Sequence, residues 1–344
     1  MKFRAMVVAV ALAGAGALVP HWLAEVQAAP PGQQGGIFSL MPVNEISKQL
    51  PELSDPDVAG ISVRFRWSLI EPQPGKYNWE PVDRSIALAQ KFGKKVMIRI
   101  MGGASTPEWV FQAGAKWAQP RYEPEKLRRM PSQRAQRLTG IKKAPVVWDP
   151  VYLKHWLALV QAFGQRYDGN PTIYSIQMAG GGLGGEMGLR PEFHWERYGY
   201  SDAVIIDTWK KIIDAYQESF PHTPTNLDIL EPIRQKSNAM QPVVDYCLSR
   251  YPGKVYLQNN GLNARGGGRK ERGLLRQAAA KTRIGYQMTG GSEWIDSVVG
   301  DRWTAFSYAL QDGASYLEVY HGDLINPVHK AAVHKLAIEL SKIK

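Results

Sequence analysis

Ala59-Gly60-Ile61-Ser62-Val63-Arg64-Phe65-Arg66-Trp67 is a strand-like run, and Lys95-Val96-Met97-Ile98-Arg99-Ile100 is a second. Between them Val82, Ile86 and Ala89 recur at helical spacing, so residues 59–100 read as one strand–helix–strand unit. Outward from this unit the alternation repeats. Further strand-like runs are Gly36 to Met41, Thr172 to Met178, Thr225 to Leu230, Val255 to Gln258, Ile284 to Met288 and Tyr316 to Tyr320, which makes eight. The helical period returns at Trp156, Val160, Phe163; at Trp209, Ile213, Tyr216; at Val244, Leu248, Tyr251; at Trp303, Phe306, Leu310; and at Val333, Leu336, Leu340. A first helix is expected near Asn44 to Leu53. Eight such units predict a single α/β domain, a (β/α)8 TIM barrel over residues 29–344. No interdomain linker, internal repeat or low-complexity tract interrupts it. The stretch from Gly102 to Asp149 would be a long loop after strand three, on the face where barrel active sites open.

The 344 residues are 44% apolar, 10% aromatic and 21% charged, which excludes a disordered or fibrous chain. A single cysteine, Cys247, excludes an intramolecular disulfide framework and Cys-based zinc or iron–sulfur centres. At the N-terminus Lys2 and Arg4 precede an apolar run from Ala5 to Val19, with Val26-Gln27-Ala28 beyond Pro20. This is the pattern of a secretory signal peptide over residues 1–28, cleaved after Ala28, and too short for a membrane span of about 20 residues. An uncleaved anchor is the alternative; a lipid anchor would need a cysteine near the cleavage point. The expected protein is exported, to a periplasm or the medium, with no membrane association after cleavage. Its formal net charge is +11. Cleavage removes Lys2, Arg4 and Glu25 and leaves +10, so the basic excess belongs to the folded part and points to anionic surroundings or substrate.

In a barrel, candidates for chemistry are polar residues just beyond strand ends: here Glu45, Glu186, Glu293, Glu318 and Asp323. Glu186 follows strand four through Gly180-Gly181-Gly182-Leu183-Gly184-Gly185, where missing side chains let backbone lie close to a ligand. Glu293 follows strand seven beyond Gly290-Gly291, next to Trp294. Paired carboxyls suit glycoside hydrolysis, because one protonates the departing oxygen while the other attacks the anomeric carbon or activates water. Trp67, Trp109, Trp195 and Trp294 are candidate platforms for sugar faces, with packing in the barrel's outer shell as the alternative. His194 and His321 fall in loops where they would bond sugar hydroxyls. Gly180, Gly182 and Gly185 match G-x-G-x-x-G, but no helical period follows them, so dinucleotide binding is not expected. The histidines show no metal-ligand spacing, and neither metal nor cofactor is expected.

Val63-Arg64-Phe65-Arg66-Trp67, Glu71-Pro72-Gln73-Pro74-Gly75, Tyr77 and the helix from Val82-Asp83 resemble strand two and its turn in clan A glycoside hydrolases, most nearly the β-galactosidase-like family 42. The likeness continues through Val96 to Ile100, Thr106-Pro107-Glu108-Trp109, Trp148-Asp149-Pro150, Arg166-Tyr167, Pro171 and Ile173-Tyr174-Ser175-Ile176-Gln177. The resemblance implies a retaining glycosidase with an acid/base Glu after strand four and a nucleophile Glu after strand seven. By position these are Glu186 and Glu293. It further implies that Arg64 supports the nucleophile; Gln177, closing strand four, joins the substrate-binding candidates. Asn259 or Asn260, after strand six, is a candidate to bond a sugar or the nucleophile, and Glu318 is the reserve nucleophile. Clan A enzymes usually carry an Asn-Glu pair directly after strand four. Here Met178-Ala179-Gly180-Gly181 follows Gln177, so Glu186 reaches the usual place only if the glycine loop doubles back.

Two basic clusters lie in the expected mouth loops: Lys126, Arg128, Arg129, Arg134, Arg137, Lys142 and Lys143, and then Arg265, Arg269, Lys270, Arg272 and Arg276. Arginine grips carboxylates with paired donors, so an acidic oligo- or polysaccharide is an expected partner, a merely solvated face being the alternative. Secretion and the lack of a recognised binding motif speak against nucleic acid. A non-catalytic glycan-binding protein on a glycosidase scaffold is the competing functional class, since function resides in the site and not the fold.

Overall fold

The computed structural model describes residues 35–46, 50–128, 139–233, 236–291 and 296–343. Eight parallel strands close into a barrel: β1 (Gly36–Leu40), β2 (Val58–Arg66), β3 (Lys95–Met101), β4 (Ile173–Gln177), β5 (Thr225–Asp228), β6 (Val255–Leu262), β7 (Ile284–Met288) and β8 (Tyr316–Tyr320). Each pairs with its sequence neighbours, and β1 closes on β8. β7 and β8 have the boundaries the sequence suggests. β6 is longer than expected, because the chain regains pairing at Leu262 with Met288 after a register irregularity.

Among the described residues, seven helices of ten or more residues cover the outside: α1 (Glu80–Lys91), α2 (Pro150–Tyr167), α3 (Asp202–Ser219), α4 (Met240–Arg250), α5 (Arg269–Ala278), α6 (Arg302–Gln311) and α7 (Lys330–Ser341). Their apolar stripes are the periodic residues: Val82, Ile86 and Ala89 on α1, Trp156, Val160 and Phe163 on α2, and Val333, Leu336 and Leu340 on α7 are all buried. The helix expected near Asn44 to Leu53 is a correction. Asn44 has φ 64°, its amide is tied to the Arg64 carbonyl of β2, and the described residues form only a 3-10 turn at Pro51–Ser54. Pro51, lacking an N–H, opens that turn. The signal-peptide residues lie outside the described part.

The core has two compartments. Most apolar residues lie between barrel and helices, while Phe38, Met97, Tyr174, Tyr256 and Tyr316 form a separate cluster from five strands. This cluster plugs the lower barrel, with Tyr316 centred 5.6 Å from Tyr174 and 6.4 Å from Phe38. Gly285 makes room for it: a Cβ there would sit 2.2 Å from the Tyr316 ring. Alternation along the strands then turns the next inward positions, toward the C-terminal mouth, over to polar side chains.

The long loop after β3 carries structure of its own, including a helix at Glu108–Gln112 and a two-stranded ribbon of Trp117–Ala118 with Ala144–Pro145. It packs against the loop after β4, where the Arg121 amide donates to the Glu192 carbonyl at 2.7 Å.

Candidate active site

The register sets Arg64 opposite Arg99, Arg99 opposite Gln177, and Gln177 opposite Asn226, while Asp228 faces Gln258 and Gln287 faces Glu318. A ring of polar side chains therefore caps the aromatic plug. At its centre is Glu318, fully buried. Ser62 Oγ donates to its Oε1, Gln258 Nε2 to its Oε2 at 2.6 Å, and Arg99 Nη2 stands 3.8 Å from Oε2. Arg99 also donates through Nε to Gln177 Oε1. A buried charge needs this density of partners, because an unpaired carboxylate in such surroundings is strongly disfavoured.

The glycine run stands on an aromatic base. Asp149 caps α2 by accepting from the Val151 and Tyr152 amides at 3.0 and 3.1 Å, which fixes the helix start. Tyr152 then donates to the Gly180 carbonyl at 2.8 Å and accepts from the Gly103 amide, while Trp156 Nε1 donates to the Ala179 carbonyl at 3.0 Å. Gly180 has φ +105°, and a Cβ there would lie 2.1 Å from Trp156 Nε1, so only glycine fits. The loop then reverses, with the Leu183 amide bonded to the Gly188 carbonyl at 3.0 Å. At Gly185 the backbone lies against the Arg99 guanidinium, where a Cβ would come within 2.3 Å of Cδ and 2.6 Å of Nη1. The doubling back carries Glu186 to the barrel mouth.

There it lines a cleft of about 770 Å³. Arg64, Arg99 and Arg265 line it together with Glu186, Asp228 and Glu271, and Asn259, Asn260, Gln287 and Thr289 complete the wall. Burial, with Arg99 beside it, holds Arg64 below the usual guanidinium range, and its Nη2 donates to the Met41 carbonyl at 2.8 Å. Asp228 is pushed well above the ordinary carboxyl range, first by desolvation and then by Glu186 and Glu318, against the opposing pull of Arg99. The cleft thus pairs a carboxyl on a loop with one at a strand end, over a floor of arginine and amide groups.

Several sequence candidates meet here: Arg64, Glu186, Asn259 and Asn260 line the cleft, and Gln177 and Glu318 lie in the network beneath it. Asn259 is occupied with shape, donating to the Ile229 carbonyl and accepting from the Gly261 amide at 2.9 and 3.0 Å; Asn260 accepts from Gln258. Glu293 and Trp294 lie outside the described residues. Trp67 is not a sugar platform: it is fully buried, donates to Glu71 Oε2 at 2.8 Å and packs on Trp109, Tyr152 and Trp156. Trp109 donates to the Glu71 carbonyl in the same cluster, and Trp195 is buried against Phe193. His194 lines a separate hollow of about 220 Å³ beside the long loop. His321 bonds Glu52 at 2.5 Å, Asp323 pairs with Arg302 at 2.8 Å, and Glu45 is exposed away from the cleft.

Four residues of the two basic clusters are held in ion pairs. Arg272 and Arg276 bind Asp312 at 2.5 and 2.7 Å, Lys270 binds Glu231, and Lys143 pairs with Glu108 at 2.8 Å. Arg129, Arg134 and Arg137 lie outside the described residues. From the second cluster, Arg265 faces the cleft. Arg99, Asp228, Glu271 and Gln287 were missed as site residues; alternation from Met97 and Asn226 would have turned Arg99 and Asp228 inward. Among the described residues no group of three or more His, Cys, Asp or Glu is arranged to hold a metal ion.

Residues 40–181 match the family model of glycoside hydrolase family 42, described as Beta-galactosidase. Beta-galactosidase Pbg of Clostridium perfringens is 28% identical over 125 residues, 36% of this chain and 16% of that protein. Two solved structures share the fold. The β-galactosidase of the psychrophilic Marinomonas ef1 aligns with TM-score 0.56 at 12% identity, over 89% of this chain and 59% of that one. The polyextremophilic β-galactosidase of the Antarctic haloarchaeon Halorubrum lacusprofundi aligns with TM-score 0.59 at 13% identity, over 90% and 58%. The chain thus spans about a sixth of the curated relative and under two thirds of either structure. The match to the family 42 model covers the stretch that carries the resemblance, residues 63–177, and the two solved structures share the barrel fold.

Proposed function

We propose that this family-42-like barrel is a glycoside hydrolase that cleaves O-glycosidic bonds of an oligo- or polysaccharide by the retaining route, with Glu186 as acid/base and Glu293 as nucleophile. The observation that carries the proposal is the reversed glycine loop, which delivers Glu186 to a polar cleft at the mouth of this barrel. In the first step the Glu186 carboxyl gives its proton to the departing glycosidic oxygen as the Glu293 carboxylate bonds the anomeric carbon and the C–O bond breaks. In the second, Glu186 takes a proton from water, whose oxygen displaces Glu293 and returns the sugar with its configuration kept. Gln287, in β7, and Thr289, just past its end, line the cleft, and Thr289 precedes Glu293 by four residues in sequence. Arg64 and Arg99 supply fixed positive charge on the opposite side.

Arg265, Arg64 and Arg99 in the cleft support an acidic glycan as substrate, and the sequence of residues 1–28 supports export. A non-catalytic glycan-binding role is the second reading, favoured by Met178-Ala179 in place of the usual Asn-Glu pair. A panel of neutral and acidic glycans, scored for cleavage and for binding, separates the two. Cleavage lost in both Glu186→Gln and Glu293→Gln supports the enzyme; binding without cleavage by the wild type supports the binding protein.

A further inference from the structure

Asp228 ends β5, is 1% exposed, and lines the cleft with its Oδ1 lacking any hydrogen-bond partner among the described residues. Its surroundings argue against a free charge. Glu186 faces it from the glycine loop, Glu318 and Tyr316 from β8, Arg99 from β3, and the Asn260 backbone amide from β6; Arg64, Arg265 and Glu271 share the cleft. Of the groups that act most strongly on Asp228, Arg99 is the one cation, and it already serves Gln177 and Glu318. An ionised carboxylate is acceptor-only, whereas a carboxylic acid offers an O–H. Burial and two flanking carboxyls favour the form that keeps its proton.

We propose that Asp228 is a substrate-binding residue of this cleft, donating an O–H hydrogen bond from Oδ1 to a pyranose hydroxyl held beside Glu186. The inference rests on the glycosidase assignment and adds to it a donor that neither Glu186 nor Glu293 supplies. Its second oxygen, facing the Asn260 amide, remains an acceptor and fixes the carboxyl plane. A sugar hydroxyl at this point satisfies a buried polar atom, and a deoxy sugar lacking it would leave that atom unpaired.

Two measurements on the full chain test this. The first is carbon-13 NMR of the aspartate carboxyls, with Asp228→Asn identifying the signal. The expected signal is that of a carboxylic acid at neutral pH; a carboxylate signal there overturns the proposal. The second is affinity for the cleaved glycan on a Glu293→Gln background that stops turnover. Affinity should fall up to tenfold per pH unit as Asp228 ionises. Asp228→Asn, which keeps an N–H donor, should hold affinity within about threefold and remove that pH dependence, while Asp228→Ala should lose about tenfold. Affinity rising with pH, or Asn as damaging as Ala, overturns the donor role. An acid signal together with no glycan bound at any pH overturns the glycosidase assignment, and the proposal with it.

Discussion

Replacing Arg99 by methionine removes a guanidinium that meets Glu318 and Gln177 together. The Arg99–Glu318 separation of 3.8 Å corresponds to an attraction of roughly 4 kcal/mol at an effective dielectric of about 20. Arg99 and Glu318 are both buried, so water cannot replace the lost partner. Breaking a buried pair from one side typically costs about 3–5 kcal/mol, and Arg99→Met should fall in that range near neutral pH. Arg99→Met with Glu318→Gln should cost less than Arg99→Met alone. Without the carboxylate no charge is stranded, and the Ser62 hydroxyl can turn to accept from the new amide. Urea unfolding supplies the readout, as a drop in midpoint at constant slope. A loss under about 1 kcal/mol for Arg99→Met, or a double variant costing the full sum of the singles, would refute the idea that one shared cation holds the barrel floor.

Gly185→Ala should displace the glycine loop, because the added methyl meets Arg99 Cδ at 2.3 Å; catalytic rate should fall with little loss of thermal stability, and unchanged kinetics would contradict the cradle. Asp228→Asn should stabilise the fold increasingly as pH rises. Asp228 carries a raised pKa in the folded state, so the wild type loses stability from the free-chain value of about 3.9 upward, by at most about 1.4 kcal/mol per unit. Denaturation of both proteins across pH checks this, and a gap independent of pH would contradict it. Arg265→Ala should weaken an acidic glycan by no more than about fivefold, with a flatter salt dependence and no effect on a neutral one; equal losses on both would remove the charge argument.

The barrel was legible because its signal is repeated: eight apolar runs and six 3.6-residue stripes must each find a buried face, and they do so on one sheet. Glu186 was legible through the glycines before it, whose absent side chains are what permit the reversal against Trp156 and Arg99. Trp67 and Trp109 misled, since a tryptophan beyond a strand reads alike whether it meets sugar or core. Val63 and Phe65 lie on the outer side of β2, and Trp67, the residue after its end, joins the same outer packing. The pairing of four basic-loop residues was not legible, because the partners of Arg272, Arg276, Lys270 and Lys143, namely Asp312, Glu231 and Glu108, are distant in sequence and meet them only in the fold. Asp228 hid inside a short strand, where an acid looks like a boundary residue until the pairing with Gln258 turns it inward.

The most direct test of the central claim is hydrolysis of the glycan panel by the wild type, Glu186→Gln and Glu293→Gln, with binding measured in parallel. The account predicts that the wild type cleaves at least one glycan and that each variant slows cleavage by about 10²–10⁴ or more while still binding it. Full cleavage by both variants would contradict it.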